Sequence, residues 1–355
     1  VKTDNWPPAE PGESLYEFVV ANTGSDGVFN GSPGDLTDES RSGPQEILYV
    51  AGAKDGLFAT ENPYPAIMAR ASRIATLMAT ASRRPSKGVL RDVHRALAED
   101  DSLDLADPLL KELRQMNVDM KTLHKIGRWL ATTGANRSAV KIGITTLGFT
   151  GVGDDLDVVQ ALGRHEEFTL YSAIALRSGV PDCELLLLEA AQSVHGWGRI
   201  QTVRMLSGAK LPIVREWILR EGFRNSIKNE YLAFYAATVG GLNEALRRDE
   251  VDRDLLTAAG QIFIALTVGK PFKGLSDYED GDEAVEAYLS QLNAKAETAT
   301  DVLAVRALQS YLQDENNWDT LRKSGWTAIR RETFERECTS ILGLAKWETT
   351  ARSDL

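Results

Sequence analysis

The sequence predicts an all-α fold of stacked helix pairs, and three observations carry that expectation. Apolar residues recur at helical spacing over most of the chain, as in Ile67, Ala71, Ile74, Ala75 and Met78. No segment has the alternating, β-branched pattern of a strand. A unit of about 30 residues also repeats itself: Leu156, Ala161, His165, Leu170 and Leu176 stand opposite Leu186, Ala191, His195, Ile200 and Leu206, each 30 residues later. A two-helix unit this short leaves apolar surface on both sides, so it is stable only when units stack in series.

In chain order, residues 1–43 form an irregular, acidic segment. Eight carboxylates there oppose only Lys2 and Arg41, which places −6 of the chain's −11 net charge in the first 43 residues. From Asn22 to Gly43 the sequence is Gly, Ser, Asp and Pro with few large apolar side chains, so a flexible segment is expected. Leu15 to Val20 is the part able to dock, as a short strand or helix turn. The chain begins at Val1, which fits either a missing upstream piece or a start codon read literally. An N-terminal helical cap is assigned to 44–134. In it Pro85 ends the Ile67–Met78 helix and Val89, Val93, Ala96 and Leu97 begin the next. Asp107-Pro108 opens a third, with Pro in the first turn where its missing N–H costs nothing. A fourth runs from Asp119 to Ala131 and stops at Gly134.

The repeats occupy 135–345, with a tail over 346–355. Helix starts are expected near Ser138, Glu167, Arg199, Asn225 and Asp252. Second helices fill the gaps at Asp155 to Arg164, Asp182 to Val194, Pro212 to Glu221 and Leu242 to Arg248. Glycines at 151, 179, 208, 222 and 240 punctuate the helix ends. The pattern continues less regularly through Glu283 to Leu292, Asp301 to Leu312 and Trp326 to Leu342.

The run Asn136-Arg137-Ser138-Ala139-Val140-Lys141, with Leu147-Gly148, Asp155-Leu156 and Leu162-Gly163-Arg164-His165-Glu166-Glu167-Phe168, resembles a HEAT or armadillo-type repeat. The resemblance covers roughly Ala106 to Leu342 and is densest between Asn136 and Gly240. It departs from the pattern where Pro often separates the helices, and the unit lengths drift. It implies an α-solenoid of antiparallel helix pairs and says little about activity, since such scaffolds serve many purposes. Bacterial immunity proteins that neutralise toxins include HEAT-like solenoids, and the chain is similar to them in size and acidity.

Composition excludes several classes. Forty basic against 51 acidic residues disfavour a protein whose main task is to grip a phosphate backbone. No apolar run reaches the roughly 18 residues of a membrane span, and no signal-peptide order opens the chain, so a cytoplasmic location is expected. Cys183 and Cys338 are too few for a disulfide framework or a four-thiolate metal site, and both are expected to be buried structural thiols. His94, His124, His165 and His195 are the only histidines. His165-Glu166-Glu167-Phe168-Thr169 lacks the second His of a zincin, and helix C-terminal capping explains these histidines better than a metal site. Gly148, Gly151 and Gly153 lack the strand and the final Gly or Lys of a phosphate loop, so Asp154 or Asp155 is expected to cap a helix. The acidic cluster around Gly281 fails the spacing of a calcium loop. No catalytic residue, cofactor or metal is assigned.

Two segments mix aromatics with paired charges at inter-helix turns, His195 to Arg199 and Trp217 to Asn225. Trp and Arg are enriched in binding hot spots. Arg164, Glu166, Glu167, Trp197, Arg199, Trp217, Arg220, Glu221 and Arg224 are therefore the candidate partner-binding residues, with core packing the competing role for the Trp side chains. The leading expectation is a non-enzymatic solenoid that binds a folded, basic protein, as an inhibitor or immunity protein would. The alternative is a HEAT-like enzyme acting on nucleic acid, similar to DNA glycosylases, which the near-balanced body and absence of a Lys/Arg stripe disfavour.

Overall fold

A computed structural model describes Trp6, residues 13–31, Leu36, 65–98 and 105–344. The expected features over 44–64, most of 32–43, and the tail over 346–355 lie outside those residues. The described residues form 18 α-helices and no strand, with a single isolated bridge between Thr23 and Phe29. Among them no helix is long and apolar enough to cross a membrane. The chain divides into two compact units, Val1–Leu206 and Ser207–Leu355.

The first unit holds α1 (Leu15–Ala21), α2 (Pro65–Arg83), α3 (Lys87–Ala98), α4 (Ala106–Gln115), α5 (Met120–Thr133), α6 (Arg137–Thr150), α7 (Leu156–Gly163), α8 (Glu166–Gly179), α9 (Glu184–Ser193) and α10 (Gly196–Met205). Helices α6, α8 and α10 begin 29 and 30 residues apart, at Arg137, Glu166 and Gly196. Each packs on the next (α6 on α8, α8 on α10), while α7 packs on α8 and α9 on α10. The starts are set by short polar caps. The Asp119 carboxylate accepts the Thr122 N–H at 2.7 Å, and the Asn136 side chain accepts that of Ala139 at 3.1 Å. Helix α6 is buried on every side from Ser138 to Gly148. Close approach there depends on missing side chains: a Cβ at Gly143 would lie 2.6 Å from the Ala131 nitrogen, and one at Gly148 2.5 Å from the Ala175 Cα.

Leu15 to Val20, the part expected to dock, lies in α1 and packs, and the turn after it also makes contacts. Ser14 caps α1 and donates its hydroxyl to the Thr132 carbonyl at 2.7 Å, and the Leu15 N–H donates to Gly134. Leu15 and Val19 are fully buried, with α1 against α5 and α7. Residues 22–31 close a turn in which Phe29 meets the His165 ring nearly edge-on, centroids 4.7 Å apart. Two apolar helix residues and one aromatic anchor supply the burial that the polar composition of this stretch lacks.

The second unit holds α11 (Pro212–Trp217), running into a π-turn over Ile218–Gly222, then α12 (Ala233–Thr238), α13 (Leu242–Leu246), α14 (Arg253–Leu266), α15 (Gly281–Lys295), α16 (Ala299–Gln313), α17 (Glu315–Lys323) and α18 (Ala328–Leu342). Here α14 packs on α16 and α16 on α18. Two expectations are corrected. No helix starts at Asn225, because its side chain accepts the Ile227 and Lys228 N–H groups and folds the chain into a turn. Helix α17 was not foreseen: its one apolar stripe is Trp318 and Leu321, capped by Asp314.

Candidate functional site

The polar residues of the first unit converge on the stacked helices α6, α8 and α10. Lys141 lies in the buried stretch of α6, its side chain only 4% exposed. Its ammonium is 2.7 Å from the Glu167 carboxylate and 5.1 Å from the centre of the Tyr171 ring. Arg137, one turn earlier, reaches the same carboxylate oxygen at 3.7 Å. Glu167 thus neutralises two cations from inside the packed layer.

His165 and His195 occupy equivalent places, as the 30-residue offset implies, but at helix N-termini rather than C-termini. His165 caps α8 by accepting the Glu167 N–H on Nδ1 at 3.1 Å, and His195 stands at the N-cap of α10. An imidazole that accepts here must be neutral, and the positive end of the helix dipole favours that state. Burial, the largest cause, pulls the His165 pKa down to about 4, against the opposing charge of Glu167. Its Nε2 has no partner among the described residues. Glu166 receives the Trp197 N–H at the start of α10 at 3.2 Å. Burial lifts its carboxyl to about 7, outweighing the Trp197 and Gly198 N–H bonds that lower it.

A second polar knot ties α5, α6 and α7. The buried Asp155 carboxylate takes His124 Nε2 at 2.9 Å and an ion pair from Arg128, and His124 Nδ1 meets the Thr150 hydroxyl at 2.9 Å. Asp154 or Asp155 was expected to cap the helix that follows; the Asp155 side chain makes no cap bond, because Arg128 and the His124 ring claim it. The order hydroxyl, imidazole, carboxylate matches that of a nucleophilic triad. Thr150, however, also bonds the Thr146 carbonyl of its own helix at 2.9 Å, as a helix-end tie does.

The remaining candidates are placed as follows. Trp197 is buried, and Arg199 donates Nε to the Ala191 and Val194 carbonyls at 3.2 and 3.0 Å, closing the end of α9. Arg164 is half-buried against Gly27. In the second unit Trp217 lies half-buried over Gly222. Arg220 makes two 2.7 Å bonds to Asp252 and a third to Glu216. Those bonds hold Asp252 down to about 2 and raise Arg220. Arg224 pairs with Glu221 at 2.5 Å and with Gln261 at 2.9 Å. Arg164, Glu166, Glu167, Trp197 and Arg199 belong to the first unit and the other four to the second. Most of these side chains are engaged inside their own unit.

Cys338 is buried and its thiol pushed up to about 12 by desolvation. Cys183 is half-exposed rather than buried, its thiol also raised by desolvation, which keeps it protonated. Among the described residues no three His, Cys, Asp or Glu side chains are grouped to hold a metal ion. The pairing of Lys141 with Glu167, and that of His124 and Arg128 with Asp155, were not expected from the sequence. For Lys141 a signal existed: a charge in the middle of a helix whose neighbouring positions are apolar or small must find a buried partner. Compared with known proteins, the chain matches no family model, no curated protein and no solved structure. What the fold defines is the class: an all-α protein of many short, mutually packed helices.

Proposed function

We propose that the chain is a non-enzymatic binding protein, an α-solenoid of antiparallel HEAT-like pairs that recognises a folded, basic protein partner, as an inhibitor or immunity protein does. The packing of every second helix in the first unit supports the repeat reading. The observation that carries the functional reading is how charge is spent in the second unit. Arg215, Arg220, Arg224, Arg247, Arg248 and Arg253 all pair with carboxylates of their own unit. Asp249, Glu250 and Asp254 stand exposed, with no ion pair to any described residue. These arginines are consumed internally while these three carboxylates face solvent, an arrangement that steers a basic partner.

The test is affinity purification from cell extract at low salt, followed by kinetics with the purified partner. Glu250→Lys with Asp254→Lys should slow association about threefold to tenfold and flatten its salt dependence, leaving helical content unchanged. An acidic partner, or association rates untouched by the reversal, refutes the proposal.

One observation favours the nucleic-acid alternative. Lys273 lies 4.5 Å over Phe234 and Lys228 6.0 Å over Phe272, with Tyr231 against Phe272, and neither lysine has a carboxylate partner among the described residues. Cations set among half-exposed rings suit single-stranded nucleic acid. Fluorescence anisotropy with a labelled oligonucleotide, lost in Lys228→Glu/Lys273→Glu, would move the reading there.

A further inference from the structure

Two places in the chain carry the order Arg-Arg-X-Ser/Thr: Arg83-Arg84-Pro85-Ser86 and Arg330-Arg331-Glu332-Thr333. A protein kinase with a carboxylate-lined substrate cleft reads such a pattern, because each guanidinium fork can pair with a carboxylate of the enzyme. Two conditions must hold. The hydroxyl has to reach the cleft on an open stretch of backbone, and the guanidiniums must not already be spent. The two sites share a sequence pattern and differ on both counts.

Ser86 meets the conditions. It is exposed and belongs to the short connection Arg84-Pro85-Ser86 between α2 and α3, where Pro85 lacks the N–H that would continue α2. Its hydroxyl accepts the Val89 N–H at 3.3 Å, a long bond. Lys87 and Gly88 follow and are also exposed, and a Cβ at Gly88 would meet nothing within 4 Å. A glycine in the first turn weakens the start of α3, so the chain after Ser86 can open. Arg83 and Arg84 are exposed, and neither side chain makes a hydrogen bond or ion pair with any described residue.

Thr333 meets neither condition. It lies inside α18, half-buried, with the Arg336 guanidinium donating to its hydroxyl at 3.4 Å and Phe334 beside it in the core. Arg330 pairs with Asp282 at 2.9 Å, and Arg331 with Glu315 at 2.9 Å and Glu335 at 3.0 Å. Presenting this segment to a kinase would unwind the helix and break those pairs.

We propose that Ser86 is a phosphorylation site for an arginine-directed Ser/Thr kinase. Its Oγ attacks the γ-phosphorus of ATP; the Oγ–P bond forms as the bond from that phosphorus to the ADP oxygen breaks, and the hydroxyl proton passes to the kinase's carboxylate base. The phosphoryl group brings a charge of about −1.5 to −2, which cancels most of that of Arg83, Arg84 and Lys87. The inference does not depend on whether the chain binds a protein partner.

The test is incubation of the full chain with Mg-ATP and the catalytic subunit of cyclic-AMP-dependent protein kinase, with the phosphate located by peptide mass spectrometry. Wild type should take up phosphate at Ser86, and Ser86→Ala none in that peptide. Arg83→Gln/Arg84→Gln should slow incorporation at least about tenfold, the loss expected when two charge-assisted pairs with the kinase are removed. These side chains are exposed, so circular dichroism should be unchanged in both variants. No phosphate at Ser86 while the kinase modifies its standard peptide in the same tube would overturn the proposal. So would an unchanged rate in Arg83→Gln/Arg84→Gln, or modification of Thr333 as fast as that of Ser86.

Discussion

Replacing Glu167 with Gln should be among the most damaging conservative changes in this protein. The Gln is isosteric, and its backbone N–H can still donate to His165. Only the charge is lost. Lys141 is then a cation at 4% exposure that has lost its 2.7 Å Nζ–Oε1 contact, while Arg137 loses the same partner. Removing one member of a buried pair costs ~3–5 kcal/mol. The reciprocal change, Lys141→Met, should cost less, because Glu167 retains Arg137, whose side chain is 26% exposed and can adjust. At ~2–4 °C per kcal/mol for a unit of this size, Glu167→Gln should lower the first melting transition by ~6–20 °C, read by circular dichroism and calorimetry. The double variant Lys141→Met/Glu167→Leu, which removes both charges and keeps volume, should recover most of that loss. If Glu167→Gln costs under ~1 kcal/mol, or the double variant is worse than both singles, the pair is not the buried hub described.

Two neighbouring groups at the start of α8, with pKa values shifted in opposite directions, flatten stability in mild acid. Glu166 titrates near 7 folded against 4.5 unfolded, so the folded state binds the extra proton and stability falls as pH rises from about 4.5 to 7; His165 titrates near 4 against 6.5, so stability is lost as pH falls through that window. The two oppose each other between about 4.5 and 6.5. Glu166→Gln should therefore be stabilising by ~1–3 kcal/mol at pH 8, near neutral at pH 4.5, and should expose the acid loss due to His165, all measured by urea melts across pH. Asp252→Asn keeps the α14 cap and loses only the Arg220 pair, a cost of ~1 kcal/mol or less since Asp252 is 59% exposed; Asp252→Ala loses the cap as well, ~1–2 kcal/mol, and equal costs would refute the division. Gly148→Ala should destabilise by ~1–3 kcal/mol, because its Cβ would fall 2.5 Å from the Ala175 backbone; an unchanged melting temperature would show that α6 and α8 are free to separate.

Helix identity was legible wherever local signals agreed. Asp119, Asn136, Thr298 and Thr327 cap helices where the sequence changes from polar to periodic apolar. Legibility failed where a side chain chose between two local partners. Asn225 folded back on its own backbone instead of opening a helix, and Asp155 gave up its cap for Arg128 and His124, 27 and 31 residues away in sequence. The candidate binding residues show the same limit. The sequence marked Arg220 and Arg224 as charged residues at a turn, but whether a guanidinium waits for a partner also depends on carboxylates brought from other elements, as Asp252 is to Arg220, whereas Arg224 pairs locally with Glu221. Arg164 was marked for the same reason and has no such carboxylate. Nothing local separates the two cases.

By itself, then, the sequence determined the helical class, the period near 30 residues and the acidic balance, because spacing, capping and charge act within a turn or two of chain. Tertiary structure alone decided which charges are spent and which remain. Lys141 finds Glu167 and Arg220 finds Asp252, since pairing across helices depends on how the backbones approach, and that is set by packing over the whole unit.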